Sequence, residues 1–119
     1  MIVPSGGGGL RIYVATRPVD FRKGMDGLAA VVEQVLQLDP FCGAAFVFRA
    51  KRADRLKIVV WDGTGLVMVY KRLEGGKFAW PSIQDGVMRL TRGQFEALFE
   101  GLDWRRVYRT ATRRPRAAG

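Results

Sequence analysis

The chain has 119 residues, 48% of them hydrophobic, with seven Phe, three Tyr and three Trp, which suits one domain with one core and excludes a wholly disordered chain. It holds one cysteine and no histidine, so an internal disulfide, a Cys/His metal cluster and every Ser-His or Cys-His nucleophile pair are excluded. Twenty Lys and Arg against eleven Asp and Glu leave a net charge of +9, which points to a polyanionic partner.

Residues 1–9 end in four glycines and read as a flexible lead-in. A phosphate-cradling loop is the alternative, but no Lys-Ser or Lys-Thr follows and a strand comes next, so the P-loop pattern fails. Residues 10–16 (LRIYVAT) alternate and are β-rich, predicting a short strand. Arg17-Pro18-Val19-Asp20 reads as a turn. From Asp20 onward, Phe21, Met25, Leu28, Val32 and Val35/Leu36 recur at helical spacing, with Asp20 or Asp26 as candidate caps. Asp39-Pro40 is the expected end of that helix, while Gly24 and Gly27 weaken its first turns. Cys42, in Asp39-Pro40-Phe41-Cys42-Gly43, has no base beside it in sequence and reads as a packing or loop residue.

Three β-rich runs follow, at residues 45–50, 55–62 and 66–73. Asp62-Gly63-Thr64-Gly65 supplies the positive backbone angles of a tight hairpin, and an antiparallel meander is expected. Residues 77–80 and 86–90 are candidate short edge strands. Thr91-Arg92-Gly93-Gln94 has capping-box spacing, Phe95, Leu98, Phe99 and Leu102 form the stripe of a short helix, and Gly101 is its stop. The predicted fold is α+β: an antiparallel meander packed on one long helix, with a short C-terminal helix. A single domain is expected over residues 10–104, followed by a disordered basic tail over residues 105–119.

Six arginines and no acid fall in residues 104–119, so the first 103 residues carry only +3 of the charge. Nucleic acid is favoured over membrane because no amphipathic anchor accompanies the cations; a merely solubilising tail is the alternative. No apolar run reaches membrane-spanning length and no signal-peptide pattern opens the chain, so the expected location is cytoplasmic. Basic and aromatic residues interleave along the hairpins. Alternation places Lys57, Val59 and Trp61 on one face and Ile58 and Val60 on the other. If a helix covers one face, cations gather on the open face and at strand ends, where they can hold a phosphate backbone and an exposed Trp can stack on a base. Burial in the core is the competing fate of Trp61 and Trp80. Arg22-Lys23, in the predicted first helical turn, oppose the helix dipole unless they form an anion pocket or are neutralised by Asp20, Asp26 or Glu33.

The candidate nucleic-acid contacts are thus Arg22, Lys23, Arg49, Lys51, Arg52, Arg55, Lys57, Trp61, Lys71, Arg72, Lys77, Arg105 and Arg106. The acids are scattered and several have turn or cap positions, so no catalytic residue, metal site or cofactor is assigned. A small metal-dependent nuclease is the least favoured reading.

Several strings, in order, resemble the TnpB-type accessory proteins encoded by the second reading frame of the insertion-sequence sixty-six family. They are Asp20-Phe21-Arg22-Lys23-Gly24-Met25-Asp26-Gly27-Leu28, Leu38-Asp39-Pro40-Phe41, Phe46-Val47-Phe48-Arg49, Asp54-Arg55-Leu56-Lys57-Ile58, Trp61-Asp62-Gly63-Thr64-Gly65, Tyr70-Lys71-Arg72-Leu73-Glu74 and Phe78-Ala79-Trp80-Pro81. The resemblance spans roughly residues 10–104, with Phe21 where Met is expected and Cys42 where Ser is expected. It implies a bacterial accessory component of transposition, acting beside a separate transposase that carries the cut-and-join chemistry, and it transfers no catalytic residues. The expected partners are DNA at the element ends and that transposase. A protein–protein adaptor without DNA binding is the alternative.

Overall fold

Alternating apolar residues in the three central runs make each of them a strand whose two faces both need cover. A computed structural model describes residues 9–82 and 86–107 and shows how that cover is supplied. The strands are β1 (Ile12–Ala15), β2 (Ala45–Arg49), β3 (Arg55–Trp61), β4 (Leu66–Arg72) and β5 (Val87–Leu90). The helices are α1 (Met25–Gln34) and α2 (Arg92–Phe99), followed by a 3₁₀ turn at Trp104–Arg106. The sheet runs β4-β3-β2-β1-β5.

The expected meander is present as β2, β3 and β4, with Phe46 opposite Val59 and Val59 opposite Met68. It is part of a larger mixed sheet. β1 lies parallel to β2, with α1 as the crossover, and β5 pairs antiparallel on the far side of β1. Residues 77–80 are not a strand. Trp80 N–H donates to the Phe78 carbonyl, Pro81 has no N–H to offer a ladder, and the Phe78 and Trp80 rings turn into the core.

α1 is ten residues long and starts at Met25, not at Asp20. Asp20 is diverted into a local turn: its carboxylate accepts from Arg22 N–H, and its carbonyl accepts from Lys23 N–H. Gly24 is the N-cap, without a side-chain cap, and Asp26 sits in the first turn. The helix closes well before Asp39-Pro40, because Gln37 takes a positive φ of 55°. Leu36 and Leu38 N–H then turn back to the carbonyls of Val31 and Val32. α2 follows its sequence signals closely. Thr91 and Gln94 form a reciprocal capping box, and Gly101 follows the helix end with a φ of 78°.

Two apolar clusters sandwich the sheet. On one face Ile12, Val14, Val47, Leu56 and Ile58 pack under Phe78, Trp80, Phe95, Leu98 and Trp104. On the other, Phe46, Phe48 and Val59 pack under Leu28 and Val32 of α1. Each fully buried side chain of this size contributes about 1.5–3 kcal/mol by leaving water. Neither face of the central strands is therefore open, and of the two places expected for the cations, an open face and the strand ends, the strand ends remain. The Trp104 indole donates to the Ala79 carbonyl, and Asp103 caps the 3₁₀ turn through Arg105 N–H. Regular structure thus continues through Arg106, past the expected boundary at residue 104. Residues 1–8 and 108–119, which hold most of the predicted lead-in and tail, lie outside the described residues.

Candidate nucleic-acid interface

Because both faces are covered, a cation on a central strand must be buried with partners or sit at a strand end. Lys57 takes the first course and is corrected from candidate contact to structural residue. It is 4% exposed. Its Nζ donates to the Phe21 carbonyl at 2.8 Å and the Lys23 carbonyl at 3.1 Å, and lies 5.0 and 5.1 Å from the Phe21 and Tyr70 ring centroids. The residue 20–24 link, expected to be helical, instead folds over β3 and covers the lysine. Lys71 is also committed: its Nζ donates to the Phe99 carbonyl at 2.6 Å, against the carbonyl end of α2.

The other course collects charge at one rim. Strand register places Arg49 beside Leu56, and Arg55 opposite Arg72, so all three cations leave the sheet at the same end. The 50–54 and 73–77 links project from that end and add Lys51, Arg52 and Lys77. Arg49, Lys51, Arg52 and Lys77 line one polar cavity of about 490 Å³ with Ala53, Asp54 and Gly76. Beneath it, Phe78 N–H and the Trp80 indole both donate to the Ala53 carbonyl, fixing the β2–β3 link on an aromatic base. The Arg49 guanidinium lies over the Trp80 ring, 5.5 Å from its centroid. Burial there pulls the Arg49 pKa below its ordinary value.

Asp54 and Glu74 offset part of this charge. Asp54 lies 3.7 Å from Arg52 and 3.8 Å from Arg55, and Arg72 lies 3.5 Å from Glu74. Arg55 also donates to the Tyr70 hydroxyl. Lys51 and Lys77 have no ion-pair partner among the described residues. The central position of Asp54 was hidden in the sequence, where it reads only as part of a link.

The remaining candidates lie apart from this rim or are neutralised. Trp61 stands at the opposite end of β3, half-buried, edge-on to Phe41. Arg22 and Lys23 precede α1 and do not form its first turn. The Arg22 guanidinium pairs with Asp20 at 2.6 Å and holds that carboxyl down at about 2, so of the two fates open to Arg22 the neutralised one is found. Arg105 and Arg106 pair with Asp103, whose carboxyl the Arg105 hydrogen bond lowers. Among the described residues no group of three or more Cys, Asp or Glu could hold a metal ion. No described helix is long and apolar enough to cross a membrane.

The chain is thus a small α+β domain whose sheet is covered on both faces, with one cluster of cations at the rim where the 50–54 and 73–77 links meet. Its sequence matches the family model described as IS66 Orf2 like protein over residues 10–109, and the chain belongs to that family. The family places it among the transposition-associated accessory proteins of insertion sequences. It is similar to two proteins of Sinorhizobium fredii, both titled as uncharacterized. The y4jC protein is 53% identical over 115 residues, 97% of each chain, and the y4hO protein is 38% identical over 109 residues, 92% of this chain and 94% of that one. No solved structure matches.

Proposed function

We propose that the chain is a non-enzymatic transposition accessory protein that contacts nucleic acid, in the first place DNA at the ends of its element, through the basic rim. One observation carries this reading: with both faces of the central strands closed, the strand-end and link cations Arg49, Lys51, Arg52, Arg72 and Lys77 meet at one end of the sheet, and Lys51 and Lys77 have no ion-pair partner among the described residues. Phosphate contacts fix a protein on a duplex without reading its sequence, which suits an assisting component whose partner supplies recognition and chemistry. This role puts the protein in the cytoplasm, where the element's DNA lies.

The test is a titration of the full chain against terminal-repeat duplex, random duplex and the purified transposase of the same element, over a range of salt. Loss of one phosphate contact lowers the slope of log K against log salt by about 0.9 for duplex DNA. Arg52→Gln and Arg72→Gln are each expected to lower it by about that amount. Full affinity and an unchanged slope in the double variant would overturn the DNA assignment.

A contact with the transposase is supported by the opposite rim, where Phe41 is 50% exposed beside Trp61. Such an aromatic pair is typical of protein contacts. A transposase pull-down that survives nuclease treatment and is lost in Phe41→Ser is the expected result.

A further inference from the structure

We propose that the cavity framed by Arg49, Lys51, Arg52 and Lys77 is a discrete phosphodiester pocket, in which Arg49 is the fixed anchor and the other three cations close from the rim. The inference rests on the nucleic-acid reading above and assigns it a site. Arg49 differs from the cations around it. It is half-buried, and among the described residues its Nε donates only to the neighbouring Ala50 carbonyl and no carboxylate pairs with it. Its guanidinium plane is held by the Trp80 ring, whose own indole N–H is spent on the Ala53 carbonyl. A guanidinium that is partly desolvated and positioned, with no counter-ion among the described residues, is preorganised for an oxyanion, because a planar fork gives up little freedom on binding one.

The rest of the lining fits the same ligand. Lys51 and Lys77 carry ammonium groups without an ion-pair partner among the described residues. The one acid, Asp54, is drawn between Arg52 and Arg55 at 3.7 and 3.8 Å, and its Oδ1 accepts no hydrogen bond among the described residues. It offsets one of the four charges and leaves the pocket cationic. A base would find no stacking platform: Trp80 is 8% exposed and Phe78 3%, both beneath the link. The pocket volume of about 490 Å³ exceeds what a lone phosphate fills and accommodates a phosphodiester with its flanking sugars. The chemical class is therefore the nucleic-acid backbone, taken without regard to base.

The test is ¹⁵N NMR of the full chain, following the Arg49 Nε–H and Trp80 indole signals and the amides of residues 49–54 and 76–77. It is titrated in one arm with inorganic phosphate and in the other with a random-sequence duplex. Saturable shifts confined to these signals are expected in both arms, with the duplex at least tenfold tighter. Arg49→Gln and Lys77→Gln should each weaken the local duplex response about tenfold, and Arg92→Gln, which removes a charge on α2, less than threefold. Arg49→Lys should recover only part, since it keeps the charge and loses the fork. Lys77 is exposed, so its variant stays folded even if the Arg49 variant does not. Phosphate shifts spread over the surface, or duplex binding undiminished from the parent in both Arg49→Gln and Lys77→Gln, would overturn the pocket while leaving the DNA reading intact. Saturable phosphate binding here with no duplex binding at all would instead retain the anion site and remove its assignment to nucleic acid.

Discussion

Replacing Lys57 with methionine separates the two demands that its burial imposes. The ammonium makes two hydrogen bonds to carbonyls and sits between two aromatic rings. Hydrogen bonds to a charged group contribute about 1.5–3 kcal/mol each, whereas withdrawing an ammonium from water opposes folding by several kcal/mol. Methionine is of similar length, so it leaves little cavity and removes the desolvation cost together with the bonds. The Phe21 and Lys23 carbonyls then lose their donor, and they regain one only if the residue 20–24 link lifts to meet water. The net loss expected for Lys57→Met is therefore about 1–3 kcal/mol, well below the sum of the two bonds. For a domain of this size each kcal/mol lowers the Tm by about 4–8 °C. Hydrogen exchange is the sharper assay. Val19 N–H, which donates to the Arg49 carbonyl, and Lys23 N–H should exchange faster, while Ile58 at the sheet centre should change little. A Lys57→Met protein as stable as the parent, with Val19 and Lys23 exchange unchanged, would refute the idea that Lys57 staples the link to the sheet.

Gly101 has a φ of 78°, and a Cβ there would lie 3.2 Å from Leu73 Cδ1, so Gly101→Ala should lower stability by about 1–2 kcal/mol in urea unfolding. The Asp20 carboxyl titrates at about 2 in the folded protein, below its ordinary 3.8, because Arg22 hydrogen-bonds the charged form. A depressed carboxylate favours the native state above the unfolded value and loses that preference as the pH falls from about 4 toward about 2. In Arg22→Gln, NMR titration should find the Asp20 pKa moved back toward its ordinary value; an unmoved value would disprove the pairing.

Much of the fold was legible where local chemistry and tertiary packing agree. The Asp62-Gly63-Thr64-Gly65 hairpin is such a case, since the Asp62 carboxylate accepts from Thr64 and Gly65 N–H and Gly63 takes a φ of 106°. The Thr91–Gln94 cap is another. The β1–β2 parallel pairing was not legible, because a partner more than thirty residues away leaves no mark in local spacing. The start of α1 was misplaced because Phe21 has helical spacing from Met25 and Leu28 but owes its burial to Lys57 and Tyr70. The site was half legible for the same reason. Residue type marked the cations, and alternation correctly put Lys57 on the face shared with Trp61, but only the cover on both faces decides which cations meet solvent. Arg49 over Trp80 and the placing of Asp54 among the arginines depend on how the 50–54 link folds onto residues 78–80, and composition carries no sign of that.

The same double cover gives the sheet a second property, that of a spacer. β3 runs from Arg55 at the basic end to Trp61 at the aromatic end. At about 3.3 Å per residue its length is roughly 20 Å. Its backbone is paired on both sides, to β2 and β4, so the strand is a stiff strut. A phosphate chain held at one end and a protein held at Phe41 and Trp61 would be kept at that fixed separation rather than on a swinging tether. Shortening or lengthening the strut would alter that separation without touching a residue at either end.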